Sequence, residues 1–114
     1  AAGVGEATRT EIEVDYHFGP PPMINDDACV DTGRRAAETV FGKDHLTDWE
    51  LQMGGEDFAK YPQEKCILLL GGGLPEEERQ FPQHSPFFDI DESALSLGVE
   101  YFVEYVQEYQ KELS

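Results

Sequence analysis

Polar and apolar residues alternate strictly over residues 10–18. Ile12, Val14, Tyr16 and Phe18 face one way, and Glu11, Glu13, Asp15 and His17 face the other. A period of two predicts a strand with one buried face. Gly19-Pro20-Pro21-Pro22 ends it, because consecutive prolines cannot donate to a ladder and favour an extended linker. That run is the candidate domain boundary. Beyond it the period lengthens. Asn25 or Asp26 caps a helix expected to run to about Phe41, with Cys29, Gly33, Ala36 and Val40 as its apolar line and Ala37 and Phe41 widening it. Gly42 suits a left-handed stop. The small residues on that line predict close packing against a sheet.

Leu46 to Leu51 is a further strand candidate, and Glu56 to Tyr61 reads as a short helix with Gly54-Gly55 at its mouth and Pro62 at its end. Cys66-Ile67-Leu68-Leu69-Leu70 is a continuous apolar run bounded by Gly71-Gly72-Gly73, the pattern of a strand covered on both faces. Residues 74–90 form a polar, proline-containing loop of the kind that carries sites. A last helix starts near Asp91, with Leu95, Gly98 or Val99, Phe102, Val106 and Tyr109 at helical spacing. The element order reads as α/β. A strand buried on both faces needs neighbours and two covering layers, and few strands are on offer. The pattern therefore favours part of a larger sheet over a dimer or an irregular fold.

Composition narrows the partners. A chain of 114 residues is normally one domain, and seven Phe and five Tyr argue against disorder. Eight basic against 24 acidic residues give a formal charge of −16. Such a surface repels nucleic acid and anionic membranes, and its ordinary reading is a solvated exterior. Cys29 and Cys66 fit no metal or redox spacing; Cys29 falls in a helical pattern and Cys66 opens an apolar run, so buried free thiols are favoured over a bridge, and with them a reducing, cytoplasmic setting. No charged-then-apolar leader and no apolar run near 18 residues appears, so neither signal peptide nor membrane span is expected. The chain opens on Ala-Ala-Gly without Met, as a processed, tagged or mid-protein start would.

Two places could do chemistry. Gly54-Gly55-Glu56-Asp57 lets a backbone approach a ligand, and the following helix mouth favours an anion such as a substrate carboxylate. Glu56 and Asp57 suit that picture only if their side chains turn away to cap the turn or meet a cation; the bland reading is a tight turn with acidic helix-start residues. His84 sits in Phe81-Pro82-Gln83-His84-Ser85-Pro86, where flanking prolines would fix its direction. Neutral imidazole is a common zinc ligand, but a lone loop histidine is usually a surface residue. No second His or Cys stands at ligand spacing, so the chain closes no metal site alone. Ser85 beside His84 is not a nucleophilic pair. His17 and His45 read as solvent residues, and Gly71-Gly72-Gly73 lacks the Lys-Ser/Thr of a P-loop.

Several motifs in order resemble the M20 metallopeptidases and amidohydrolases, nearest the aminoacylase, hippurate hydrolase and indole-acetyl-amino-acid hydrolase branch. They are Glu13-Val14-Asp15-Tyr16, Pro22-Met23-Ile24-Asn25-Asp26, Ala36-Ala37-Glu38-Thr39-Val40-Phe41-Gly42, Met53-Gly54-Gly55-Glu56-Asp57-Phe58-Ala59-Lys60-Tyr61, Leu70-Gly71, and His84-Ser85-Pro86-Phe87-Phe88-Asp89-Ile90-Asp91-Glu92-Ser93-Ala94-Leu95. The similarity spans about residues 5–110. The resemblance implies a zinc-peptidase-like three-layer α/β/α catalytic domain interrupted by a lid. Residues 1–22 would be the lid's last strand and linker, and 23–114 the C-terminal segment of the catalytic domain. It implies that His84 is the last ligand of a two-metal site (zinc, manganese, cobalt or nickel). Gly54, Gly55 and Glu56 would help bind the substrate. The other ligands and the general base belong to an N-terminal half outside these residues, so no catalytic residue is assigned here. The expected function is that of a fragment of an amidohydrolase cleaving N-acyl-amino acids or small peptides, inactive alone. The rival is an acidic, non-catalytic interaction module that forms a homo-oligomer.

Overall fold

Asp26 begins the central helix by accepting the Cys29 N–H at 3.0 Å on its side chain. The bond satisfies one of the donors a helix start leaves unpaired, as the sequence predicts. Asp26→Ala is expected to cost about 1 kcal/mol, read as a lower denaturant midpoint with an unchanged slope. The computed structural model describes residues 1–114. It contains α1 (Ala2–Thr8), α2 (Asp27–Phe41) and α3 (Ala94–Glu112), with 3₁₀ turns at Lys43–His45, Asp57–Lys60 and Glu77–Arg79. By contact the chain divides into two compact units. One holds Ala1–Met23 and Met53–Tyr61, the other Ile24–Gln52 and Pro62–Ser114.

In the larger unit α2 and α3 pack on each other. Gly33, Ala36 and Ala37 are buried, and so is Thr32, which the apolar pattern did not include. Tyr101 of α3, only 5% exposed, lies with Ala36 and Ala37 at the centre, flanked by Phe41, Leu46 and Tyr105. A Cβ on Gly33 would stand 3.0 Å from the Tyr101 hydroxyl, so the absent side chain is what admits the ring. The small-residue line therefore meets a helix, where a sheet was expected. At the other end Arg35 pairs with Glu108 at 3.3 Å and with Glu112, whose carboxylate also lies 2.7 Å from the Thr32 hydroxyl. Gly42 ends α2 at φ 83°.

The expected α/β architecture is corrected on one point: the structure contains no strand. Residues 10–18, 46–51 and 66–70 join no ladder. A strand needs a neighbour for its N–H and C=O groups, and the 66–70 segment spends its first bonds elsewhere. Lys65 C=O accepts from Asp26 N–H at 2.8 Å, and Ile67 N–H donates to the Asn25 side chain at 3.0 Å. Leu68, Leu69 and Leu70 are exposed rather than doubly covered, and in the smaller unit Phe18 of the alternating run is 89% exposed.

The helix expected near Asp91 forms as α3, but most of the residues read at its helical spacing face outward. Leu95, Val99, Phe102, Val106 and Tyr109 are all exposed, Phe102 by 69%. Ala94 and Tyr101 are buried, with Gly98 and Tyr105 partly so. Small residues and tyrosines fit α2's small line; the bulkier stripe is left uncovered. The smaller unit holds α1, which the sequence pattern did not predict. Arg9 at φ 54° turns the chain so that Thr10 N–H returns to Gly5 C=O at 3.0 Å.

Candidate functional site

The two expected site segments fall in different compact units, and each is described within its own. In the smaller unit Glu56 accepts the Phe58 N–H at 3.0 Å and caps the 3₁₀ turn Asp57–Lys60. Asp57 pairs with Lys60 at 2.6 Å, and that hydrogen bond holds the Asp57 carboxyl below its usual range. The acidic pair thus turns to its own backbone and to a lysine, one of the arrangements that leaves the glycines clear. Gly54 has open space where a side chain would be, whereas a Cβ on Gly55 would meet Pro20 at 3.3 Å. Neither glycine has a positive φ. Their contribution is open backbone rather than unusual torsion. Phe58 and Tyr61 lie 5.4 Å apart beside the turn, and Ala59 is buried beneath it.

In the larger unit His84 stands at the apex of a loop. Ser85 N–H donates to Pro82 C=O at 3.1 Å, so residues 82–85 make a reverse turn with His84 in its third position. Phe88 N–H closes the next turn on Ser85 C=O at 3.1 Å, and Phe81 and Phe87 pack 5.5 Å apart across the loop. His84 has φ 68°. That left-handed torsion at a turn's third position is normally taken by Gly or Asn. It costs a non-glycine residue of order 1 kcal/mol, and such outliers gather at functional sites. The imidazole is exposed and makes no hydrogen bond or ion pair, so both ring nitrogens are open to a ligand. Ser85 Oγ accepts the Phe87 N–H at 3.2 Å.

No group of three His, Cys, Asp or Glu side chains is placed to hold a metal ion. An ionisable cluster forms around the two thiols. Cys29 on α2, Cys66, and Tyr101 and Tyr105 on α3 converge. Burial pushes both thiols up and raises Tyr101, and it takes Tyr105 up to about 12 with the two cysteines close by. The available signal was Cys29 standing one turn before Gly33 on α2's apolar line.

A family profile described as Peptidase family M20/M25/M40 matches residues 1–108. The chain belongs to that family. It is similar to a Rhodococcus jostii strain RHA1 protein named glutamate–cysteine ligase 2-3, 39% identical over 89 residues that make up 76% of this chain and 11% of that one. It is similar to a Bacillus subtilis strain 168 protein named amidohydrolase YhaA, 39% identical over 95 residues, 82% of this chain and 24% of that one. It is also 31% identical over 100 residues to the N-acetyl-L-cysteine deacetylase of the same organism, covering 88% of this chain and 23% of the relative. The chain thus spans a quarter or less of the length of these relatives. No solved structure matches it significantly. Membership of this family implies an α/β catalytic domain. No helix is long and apolar enough to cross a membrane.

Proposed function

We propose that these residues are the C-terminal portion of a metal-dependent amidohydrolase that cleaves N-acyl-amino acids or related small amides. The family match across residues 1–108, on a chain a quarter or less the length of its relatives, carries this reading. In it, residues 1–22 are the end of a lid domain and residues 23–114 the return of the chain into the catalytic domain. His84 presents its imidazole to a divalent ion whose other ligands come from the rest of the protein. Gly54, Gly55 and Glu56 form a substrate-side turn: the glycines offer approachable backbone, and Glu56, held on Phe58 N–H, keeps its charge off an incoming carboxylate. A bound divalent ion in such an enzyme polarises the amide carbonyl and activates water. One donor and a turn do not suffice for that, so the 114 residues alone are expected to be inactive. The bare stripe on α3 suits a segment that packs against further protein.

A graft tests the reading. Residues 1–114 replace the matching segment of the Bacillus amidohydrolase YhaA, and release of amino acid from a panel of N-acyl-amino acids is followed with and without chelator. Chelator-sensitive hydrolysis by the graft, with none from the 114 residues alone, is the expected result. An inactive, metal-free but folded graft, together with a chain that sediments alone as a defined oligomer, would replace the proposal by the non-catalytic module.

A further inference from the structure

The convergence of Cys29 and Cys66 is used by nothing in the proposed reaction. We propose that the two residues form a dithiol that closes to an intramolecular disulfide, fastening the 66–70 segment to the first turns of α2. The backbone brings them together from both sides. Lys65 C=O accepts Asp26 N–H at 2.8 Å and Ile67 N–H reaches the Asn25 side chain at 3.0 Å, so Cys66 is bracketed by bonds to the two residues that lead into α2. Cys29 is tied to the same place, its N–H donating to the Asp26 carboxylate at 3.0 Å.

The sulfur of Cys66 lies 3.9 Å from where a Cβ on Gly33 would stand. Residues four apart on a helix lie one above the other, and helical side chains lean toward the preceding turn. Cys66 thus sits beside the α2 line one turn from Cys29. Closure turns the Cys66 side chain from Gly33 toward Cys29, one turn back along the helix. Both cysteines are free and only partly buried, so a small reagent has access.

Burial holds the Cys29 thiol above its ordinary range, with Asp26 adding to the rise and Tyr105 opposing it. Burial raises the Cys66 thiol as well, with Cys29 and Asp26 adding to it. Given a small disulfide such as glutathione disulfide as oxidant, Cys29 gives its proton to solvent and attacks one sulfur, releasing one glutathione thiolate. Cys66 then gives up its proton and attacks the Cys29 sulfur of the mixed disulfide, releasing the second. The protein loses two protons and two electrons, and the oxidant becomes two thiols.

The 114-residue chain is incubated with glutathione disulfide under native conditions and analysed by intact mass and non-reducing peptide mapping. The expected product is a monomer lighter by two hydrogens, with the Cys29 and Cys66 peptides joined and its thermal midpoint raised by roughly 8 °C or more. A reductant should reverse both. Cys66→Ser, with its helical signal intact, should stop at the glutathione adduct on Cys29. A wild-type chain that remains helical yet yields only glutathione adducts, only disulfide-linked dimers, or only unmodified thiols under these conditions overturns the proposal. None of these outcomes depends on hydrolytic activity, so the result stands apart from the proposed function.

Discussion

Replacing His84 with alanine in the amidohydrolase graft is expected to lower hydrolysis of an N-acyl-amino acid by about 10³-fold, because a lost metal ligand forfeits several kcal/mol of charge stabilisation. The stronger comparison is His84→Gly. His84 holds φ 68°, a torsion that glycine adopts freely. Glycine should therefore leave the turn intact or steadier, raising stability by up to about 1 kcal/mol. If the imidazole serves as a ligand, His84→Gly loses as much activity as His84→Ala, and metal content measured by plasma emission falls in both. If the residue only shapes the loop, the glycine variant keeps its activity and its metal. Matching loss of metal from two variants with opposite effects on the backbone is an outcome a structural role does not give.

The second large effect concerns the packing of α2 on α3. Tyr101→Ala is expected to cost about 3–5 kcal/mol, the range for emptying a large aromatic site. Tyr101 is the large side chain of a core otherwise made of Ala36 and Ala37. Its ring stacks with Phe41 at 6.1 Å, approaches Tyr105 at 6.1 Å, and lies over the gap left by Gly33. Domains of this size have about 5–15 kcal/mol in total, so the alanine variant should lose most of its cooperative thermal transition by circular dichroism. Tyr101→Phe keeps the ring and removes a hydroxyl, and should cost less than about 1.5 kcal/mol. A Tyr101→Ala midpoint within a degree or two of the parent would show that the helix pair is held by something else, the Arg35–Glu108–Glu112 pairs being the first suspects.

What could be read from the residues follows a physical divide. Helix α2 was legible from end to end because its cap, its line of small residues and Gly42 are local signals. The turn after Gly54-Gly55 and the loop around His84 were legible for the same reason. Strands were not, since alternation in Ile12, Val14, Tyr16 and Phe18 records which face expects cover and cannot supply the neighbouring chain that makes a ladder. The buried face of α3 was harder to read because bulk favoured Leu95, Val99 and Phe102, whereas close approach to Gly33 brings in Tyr101 and Tyr105, with Gly98, the alternative to Val99, against Leu70. Helix α1 carried little signal, with two glycines in seven residues and no side-chain cap. The left-handed torsion of His84 was invisible, because few non-glycine residues adopt it and the sequence names only the ring.

The uncovered stripe of α3 has a colloidal consequence. Leu95, Val99, Phe102 and Val106 form an oily band on a molecule whose formal charge is −16. In dilute buffer, mutual repulsion holds such bands apart, since copies meet the field of each other's carboxylates long before side chains touch. Near 1 M salt the reach of that field shrinks to about 3 Å. The acid excess then ceases to act as a spacer, and the band alone sets how copies meet.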